Sequence, residues 1–250
     1  MTSSIRFRIA TWNLERPRQN GWIKNQRRLD RIDRIREIDA DIWVLTETNV
    51  AIDLNPDYEF VASVPYEGHQ AGENLTTLWS RWKILRCIPT FDPTYAVCAE
   101  VESPFGLIIV YGTVIPWAND KGMSGTAKKW EEHRRSIQQH HEDWLRIQKQ
   151  YPSPLMCIAG DFNQSRDKSG WYEEKQSVEM LSAALHDLSL VCVTEQKFQG
   201  LSRSTIDHIC LSECLVPYKM SVNAWEGETP ERGRMSDHNG VFVDLRQEVC

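Results

Sequence analysis

The stretch Leu155-Met156-Cys157-Ile158-Ala159-Gly160-Asp161-Phe162-Asn163 is an apolar run that stops at a glycine and passes at once to a carboxylate and an amide. A short apolar run of this kind reads as a strand inside a sheet. Gly160 permits a tight turn, and polar residues where such a strand ends are where α/β proteins put their sites. Working outward, further runs rich in β-branched and aromatic residues cover 5–12, 41–46, 76–79, 95–101, 107–113, 191–194, 205–211, 219–224 and 241–245.

Helical periodicity appears in Leu29, Ile32, Ile35 and Ile38, in Trp130, Ile137, Trp144 and Ile147, and in Val178, Leu181, Leu185 and Leu188. Three helices are too few to cross over between every pair of ten strands, so hairpins must join many of them. The chain reads as α/β (α+β), with two packed mixed sheets flanked by helices. Its 250 residues show no compositional break, so a single domain over 1–250 is expected. No repeat or low-complexity tract occurs, and polar clusters near 63–74, 116–127, 163–176 and 226–236 read as loops.

Bulk properties narrow the function. No apolar run approaches the roughly 20 residues that span a bilayer, and Met1 leads almost directly into the run 5–12 without room for a signal peptide. No membrane insertion and a cytoplasmic location are expected. Seven scattered cysteines, an odd number, argue against a disulfide framework. His208, Cys210 and Cys214 lie close in sequence, but no second pair at ligand spacing supports zinc. A net charge of −6 is not the footprint of bulk nucleic-acid binding. The basic stretches Arg27, Arg28, Arg31, Arg34, Arg36 and Lys128, Lys129, Arg134, Arg135 are interleaved with acids and read as solvated helix faces.

Other strand ends carry polar groups too. Asn13 closes Thr-Trp-Asn, Glu47 follows an apolar run in Leu-Thr-Glu-Thr, and Ser236-Asp237-His238 precedes the last strand. Asp207 and His208 sit within 205–211 and face opposite ways by alternation. A charge in an otherwise core-like strand needs a partner. Alone, each is an ordinary turn or rim residue. Together they form an acidic cluster with amides and a histidine, suited to a hard cation such as magnesium and to a phosphate ester.

Thr-Trp-Asn, Glu47, Gly-Asp-Phe-Asn, Ile-Asp-His and Ser-Asp-His occur in the order found in the endonuclease/exonuclease/phosphatase superfamily, which the chain resembles from end to end. The resemblance implies a four-layer αββα sandwich of the DNase I-like type and a metal-dependent hydrolase of phosphate esters, foremost a nuclease. Glu47, with Asn13 and Asp237, would hold Mg2+, with Mn2+ as a substitute. Asp161 would orient or deprotonate the attacking water, and Asn163 would help position it and the phosphate. His238, oriented by Asp207, would donate to the phosphoryl oxygen.

One departure stands out. Nucleases of this superfamily usually follow the strand at 107–113 with a tyrosine or histidine that touches phosphate. Thr113 occupies the matching position here, with Tyr111 on the same face as a substitute.

Substrate depends on loops. Trp117 and Trp171 follow candidate catalytic strands and would stack on a nucleobase or pack on neighbouring helices. Lys121, Lys128, Arg166 and Lys168 share these loops and would meet phosphates or solvent. Nucleic acid is the expected substrate. A small-molecule or lipid-headgroup phosphatase or phosphodiesterase is the alternative, and a binding protein that has lost catalysis is the third reading.

Overall fold

The computed structural model describes residues 3–17, 22–65, 69–151 and 155–249. Cys250 lies outside them, as does part of the loop expected near 63–74. In chain order the elements are β1 (Ser3–Asn13), α1 (Trp22–Ile38), β2 (Ile42–Asn49), β3 (Glu59–Ala62), β4 (Glu73–Ser80), β5 (Ile84–Cys87), β6 (Ala96–Ser103), β7 (Gly106–Val114), α2 (Glu131–Gln150) and β8 (Leu155–Asp161). There follow α3 (Lys175–Asp187), β9 (Leu190–Cys192), β10 (Asp207–Ser212), a 3-10 turn (Glu213–Tyr218), β11 (Lys219–Trp225), a small hairpin of β12 (Glu228–Thr229) and β13 (Gly233–Arg234), and β14 (Gly240–Val249).

Two six-stranded sheets run β11-β14-β1-β2-β4-β3 and β5-β6-β7-β8-β10-β9. Each has one parallel pair at its centre, β1 with β2 and β7 with β8. Parallel neighbours need a crossover, and α1 and α2 supply it. The remaining pairs within these sheets are antiparallel, as a helix-poor chain requires.

The sheets face each other over a core that includes Phe7, Ile9, Val44, Val110, Ala159 and Ile209. The outer face of the second sheet packs Tyr111, Ile158 and Cys210 against Trp144 and Ile147 of α2 and Leu181 and Leu185 of α3. On the first sheet, Trp12, Trp43 and Trp225 pack with Ile35 of α1. The result is the expected αββα layering. Strands buried on both faces show no clean alternation of polarity, which is why they read as apolar runs.

Several sequence expectations shift. β2 runs on to Asn49, so Glu47 stands inside the strand with a positive φ of 44° rather than at its end. Leu29 is exposed although it matches the helical period, and Trp130 precedes α2 with φ 67°. Arg31, expected on a solvated face, is only 4% exposed. The short edge strands β3 and β5 carry mostly exposed side chains and left no apolar signal.

Candidate active site

Asn13, Glu47 and Asp161 lie at or near the carboxyl ends of their strands. Asp207 opens the antiparallel β10, and His238 sits just before β14, which is antiparallel to β1. All five therefore gather at one end of the two sheets. On β8, residues 157, 159 and 161 face the other sheet, and so do 207, 209 and 211 on β10, with Asp207 in register with Asp161. The position where the core ends and solvent begins is thus filled by two carboxylates.

Gly160 makes this register possible. Its φ is 140°, and a Cβ there would lie 1.9 Å from the Thr113 carbonyl oxygen. Only glycine lets β8 press so close to β7 just before Asp161.

Asn13 donates its amide to Asp161 Oδ2 at 2.9 Å and accepts from the Glu15 backbone N–H at 2.8 Å. Asn163, with φ 47°, returns its own N–H to Asp161 Oδ1 at 2.8 Å and its side-chain amide to Oδ2 at 3.1 Å and to the Ile115 carbonyl at 2.9 Å. Burial pushes the Asp161 carboxyl up, opposed by the positive field of His238 and reinforced by Asp207 and Glu47.

His238 donates from Nδ1 to Asp207 Oδ2 at 2.7 Å, leaving Nε2 4.0 Å from both Asp161 and Asp237. Burial alone would lower its pKa. Asp207 and Asp161 outweigh that and hold it at about 10, so the ring is an imidazolium near neutrality. Its loop is pinned by Ser236, which donates to the Asn13 carbonyl at 2.6 Å and accepts the His238 N–H at 3.0 Å, and by Trp12, which donates to the His238 carbonyl at 3.0 Å.

One oxygen each of Asp161 and Asp207 and a ring nitrogen of His238 lie within 4.8 Å of one another, and His238 as an imidazolium donates there while the carboxylates accept. Asp207 Oδ1 is buried and has no hydrogen-bond partner among the described residues. A bare carboxylate oxygen beside other oxygen donors fits a hard cation or a donor group brought by a ligand. Glu47, whose charge acts on Asp161, pairs with Arg16 at 3.2 Å. Asp237 is 43% exposed and lies 3.5 Å from Arg234.

Thr113 and Tyr111 are not part of this group. β7 turns both toward α2, on the face opposite Asp161. Tyr111 donates to Asp143 at 3.0 Å, so its oxygen accepts from His140 Nδ1 at 3.2 Å, leaving Nε2 to accept from Thr113 at 3.0 Å. Burial keeps His140 neutral, with its pKa lowered to about 3. The β7 residue in register with Asp161 is Val114, so an apolar side chain, not Thr113, shares the site's face.

Trp117 and Trp171 are both about half exposed. Arg166, one of the loop cations expected to meet phosphates or solvent, instead turns inward, donating to Ser182 at 3.1 Å. Lys121 donates to the Ala127 carbonyl at 3.2 Å, while Lys128 and Lys168 are exposed. His208 hydrogen-bonds Thr194 at 3.2 Å and the Gln164 carbonyl at 2.9 Å, and Cys214 is exposed, so the His208, Cys210 and Cys214 trio is not assembled. The sequence reading missed Glu15, which accepts the Asp237 N–H at 3.1 Å and pairs with Arg234, and it missed the buried Arg31 in the field of Glu15 and Asp237. Neither carries a signal beyond a common charged residue in a loop or helix.

The family model described as the endonuclease/exonuclease/phosphatase family matches residues 10–238. The chain belongs to that family. This makes it a phosphoesterase of the endonuclease/exonuclease/phosphatase type. No curated protein matches the sequence. Among solved structures, the fold is similar to an AP endonuclease from Leishmania major (13% identity, TM-score 0.70, 97% of this chain and 88% of that one). It is also similar to an AP endonuclease from Archaeoglobus fulgidus (17%, 0.68, 95% and 98%) and to a 3′ phosphatase from Neisseria bound to a product DNA hairpin (17%, 0.68, 96% and 99%).

Proposed function

We propose that this family member is a nuclease, a single catalytic domain over 1–250 that hydrolyses phosphodiester bonds of nucleic acid by in-line attack of water and works with Mg2+. The observation that carries this reading is the His238–Asp207 pair, an imidazolium held 4.0 Å from a buried carboxylate, Asp161, and 4.0 Å from a second, Asp237.

Asp161 accepts a proton from the attacking water, and burial makes it a stronger base than an ordinary carboxylate. Asn163 and Asn13 fix its orientation through their amides. His238 donates from Nε2 to a non-bridging phosphoryl oxygen as negative charge gathers there, with Asp207 holding the ring and its proton. Glu47 and Asp237, with Asn13 nearby, would hold the metal, which when bound would neutralise developing negative charge. Carboxylate and amide oxygens are the donor chemistry a hard cation prefers, which supports this fit.

Supercoiled plasmid incubated with Mg2+ tests the reading. Nicking that disappears with EDTA and in His238→Ala supports it. An intact plasmid and an intact single-stranded oligonucleotide, under conditions where a small phosphodiester turns over, would refute a nuclease and leave the small-ester phosphodiesterase. The likeness to a 3′ phosphatase with a DNA product favours a second reading, removal of a terminal phosphate from a strand end. An oligonucleotide bearing a 3′-phosphate separates the two by whether the chain shortens.

A further inference from the structure

Beside the acidic cluster, on the β10 side, the loops 163–174 and 195–206 enclose a pocket of about 320 Å³. Its wall carries Trp171, 46% exposed, with the Arg203 guanidinium 5.7 Å over its ring. Phe198 and Leu201 supply apolar surface and Lys197 a second cation. Two hydrogen bonds join this wall to the chemistry. Thr205, which lines the pocket, accepts the Asp207 N–H at 3.1 Å. The Arg203 carbonyl accepts from Asn239, the residue after His238, at 3.0 Å. The two loops are themselves tied by Ser204, which donates to Asp167 at 2.7 Å and accepts from the Ser169 hydroxyl at 3.0 Å.

We propose that this pocket holds a single unpaired nucleotide next to the scissile phosphate, its base stacked on Trp171 and its phosphate met by Arg203 and Lys197; this rests on the nuclease reading above. An aromatic face with a guanidinium above it and cations at the rim is the combination that binds single-stranded nucleic acid without reading sequence. A paired base is stacked on its neighbours and tied to its partner, so it presents no free face to Trp171. The pocket therefore selects single strands, frayed ends or gapped substrates over intact duplex. Local cations also explain how a chain of net charge −6 engages a polyanion, since Arg203 and Lys197 act at one subsite rather than as a broad basic field.

The test compares wild type, Trp171→Ala, Trp171→Phe and Arg203→Ala on a single-stranded oligonucleotide, the same sequence as blunt duplex, and a small phosphodiester without an aromatic ring. Both side chains lie on exposed loop positions, so the variants keep the core. The expected result is a KM for the single strand raised about tenfold in Trp171→Ala, or about 1.4 kcal/mol, with kcat little changed. Trp171→Phe restores most of that loss, Arg203→Ala flattens the salt dependence, and turnover of the ring-free ester is unchanged throughout. An unchanged single-strand KM in both Trp171→Ala and Arg203→Ala overturns the pocket while leaving the nuclease standing. If wild type cleaves no phosphate ester, the nuclease reading falls, and equilibrium binding of the oligonucleotide decides the pocket. Weaker binding in Trp171→Ala supports it, and equal binding overturns it.

Discussion

Asn13, from the end of β1, donates its side-chain amide to Asp161, from the end of β8 in the opposing sheet, at 2.9 Å. Both groups are almost wholly buried, so each satisfies the other. Asn13→Ala removes the donor and leaves the carboxylate short of a partner, which should cost ~1–3 kcal/mol of stability in denaturant titrations. Asn13→Asp keeps the shape but sets a second carboxylate against the first. Asp161 is then driven further toward protonation, and the acid limb of the pH–rate profile should move to higher pH.

The Asp207–His238 pair predicts an alkaline signature. Activity that needs the imidazolium persists until pH rises through about 10. In Asp207→Asn the chief group raising that pKa is gone, so the alkaline limb should move down, and kcat should fall at least ~100-fold. The same shift bears on stability. A folded pKa above the unfolded one contributes stability fully present below about 6.5 and lost as pH rises through about 10. A wild type and variant with the same alkaline limb would refute the role given to Asp207.

Acid stability should be governed by the helix side of the second sheet. His140 is held neutral with a pKa lowered to about 3, and His133 with one lowered to about 4, both chiefly by burial. Below about 6.5 the unfolded chain takes up protons that these folded imidazoles refuse, so stability is complete above that pH and falls as pH drops toward 4 and 3. Each group contributes a slope of up to ~1.4 kcal/mol per pH unit. His140→Gln should flatten the decline between pH 6 and 4 in denaturant titrations; an unchanged slope would show that His140 is not the source.

Gly160→Ala should be among the most damaging single changes outside the titrating groups. The added methyl meets the Thr113 carbonyl oxygen at 1.9 Å at a φ of 140°, and the nearest atoms all belong to the Thr113 backbone, which cannot swing away. A loss of more than ~4 kcal/mol, or insoluble protein, is expected.

Tyr111→Phe and Thr113→Val should leave kcat within about twofold while lowering the melting temperature, since each breaks the buried network around His140 and Asp143 and neither faces the cleft. A large loss of turnover in either variant with the fold intact would restore the role that the sequence pattern assigns to this strand.

The layering and most strands were legible because central strands buried on both faces are mostly apolar, and Asn13, Glu47, Asp161 and Asp207 stand out as polar residues in or at the ends of such strands. Edge strands such as 59–62 escaped because half-solvated backbone imposes no composition. Thr113 illustrates a second limit. Its position along the strand is readable, but which face it shows depends on register with Asp161, and a slip of one residue exchanges it for Val114. Arg31 illustrates a third, since a helix interleaved with charge gives no sign of which arginine turns inward.

The bond between Asn13 and Asp161 also means that neither sheet owns the candidate site. Asn13 and the 236–238 loop belong to one sheet, Asp161 and Asp207 to the other. Sliding of one layer past the other would part His238 from both Asp207 and Asp161. The contacts around His238 therefore report on how the two layers are seated against each other.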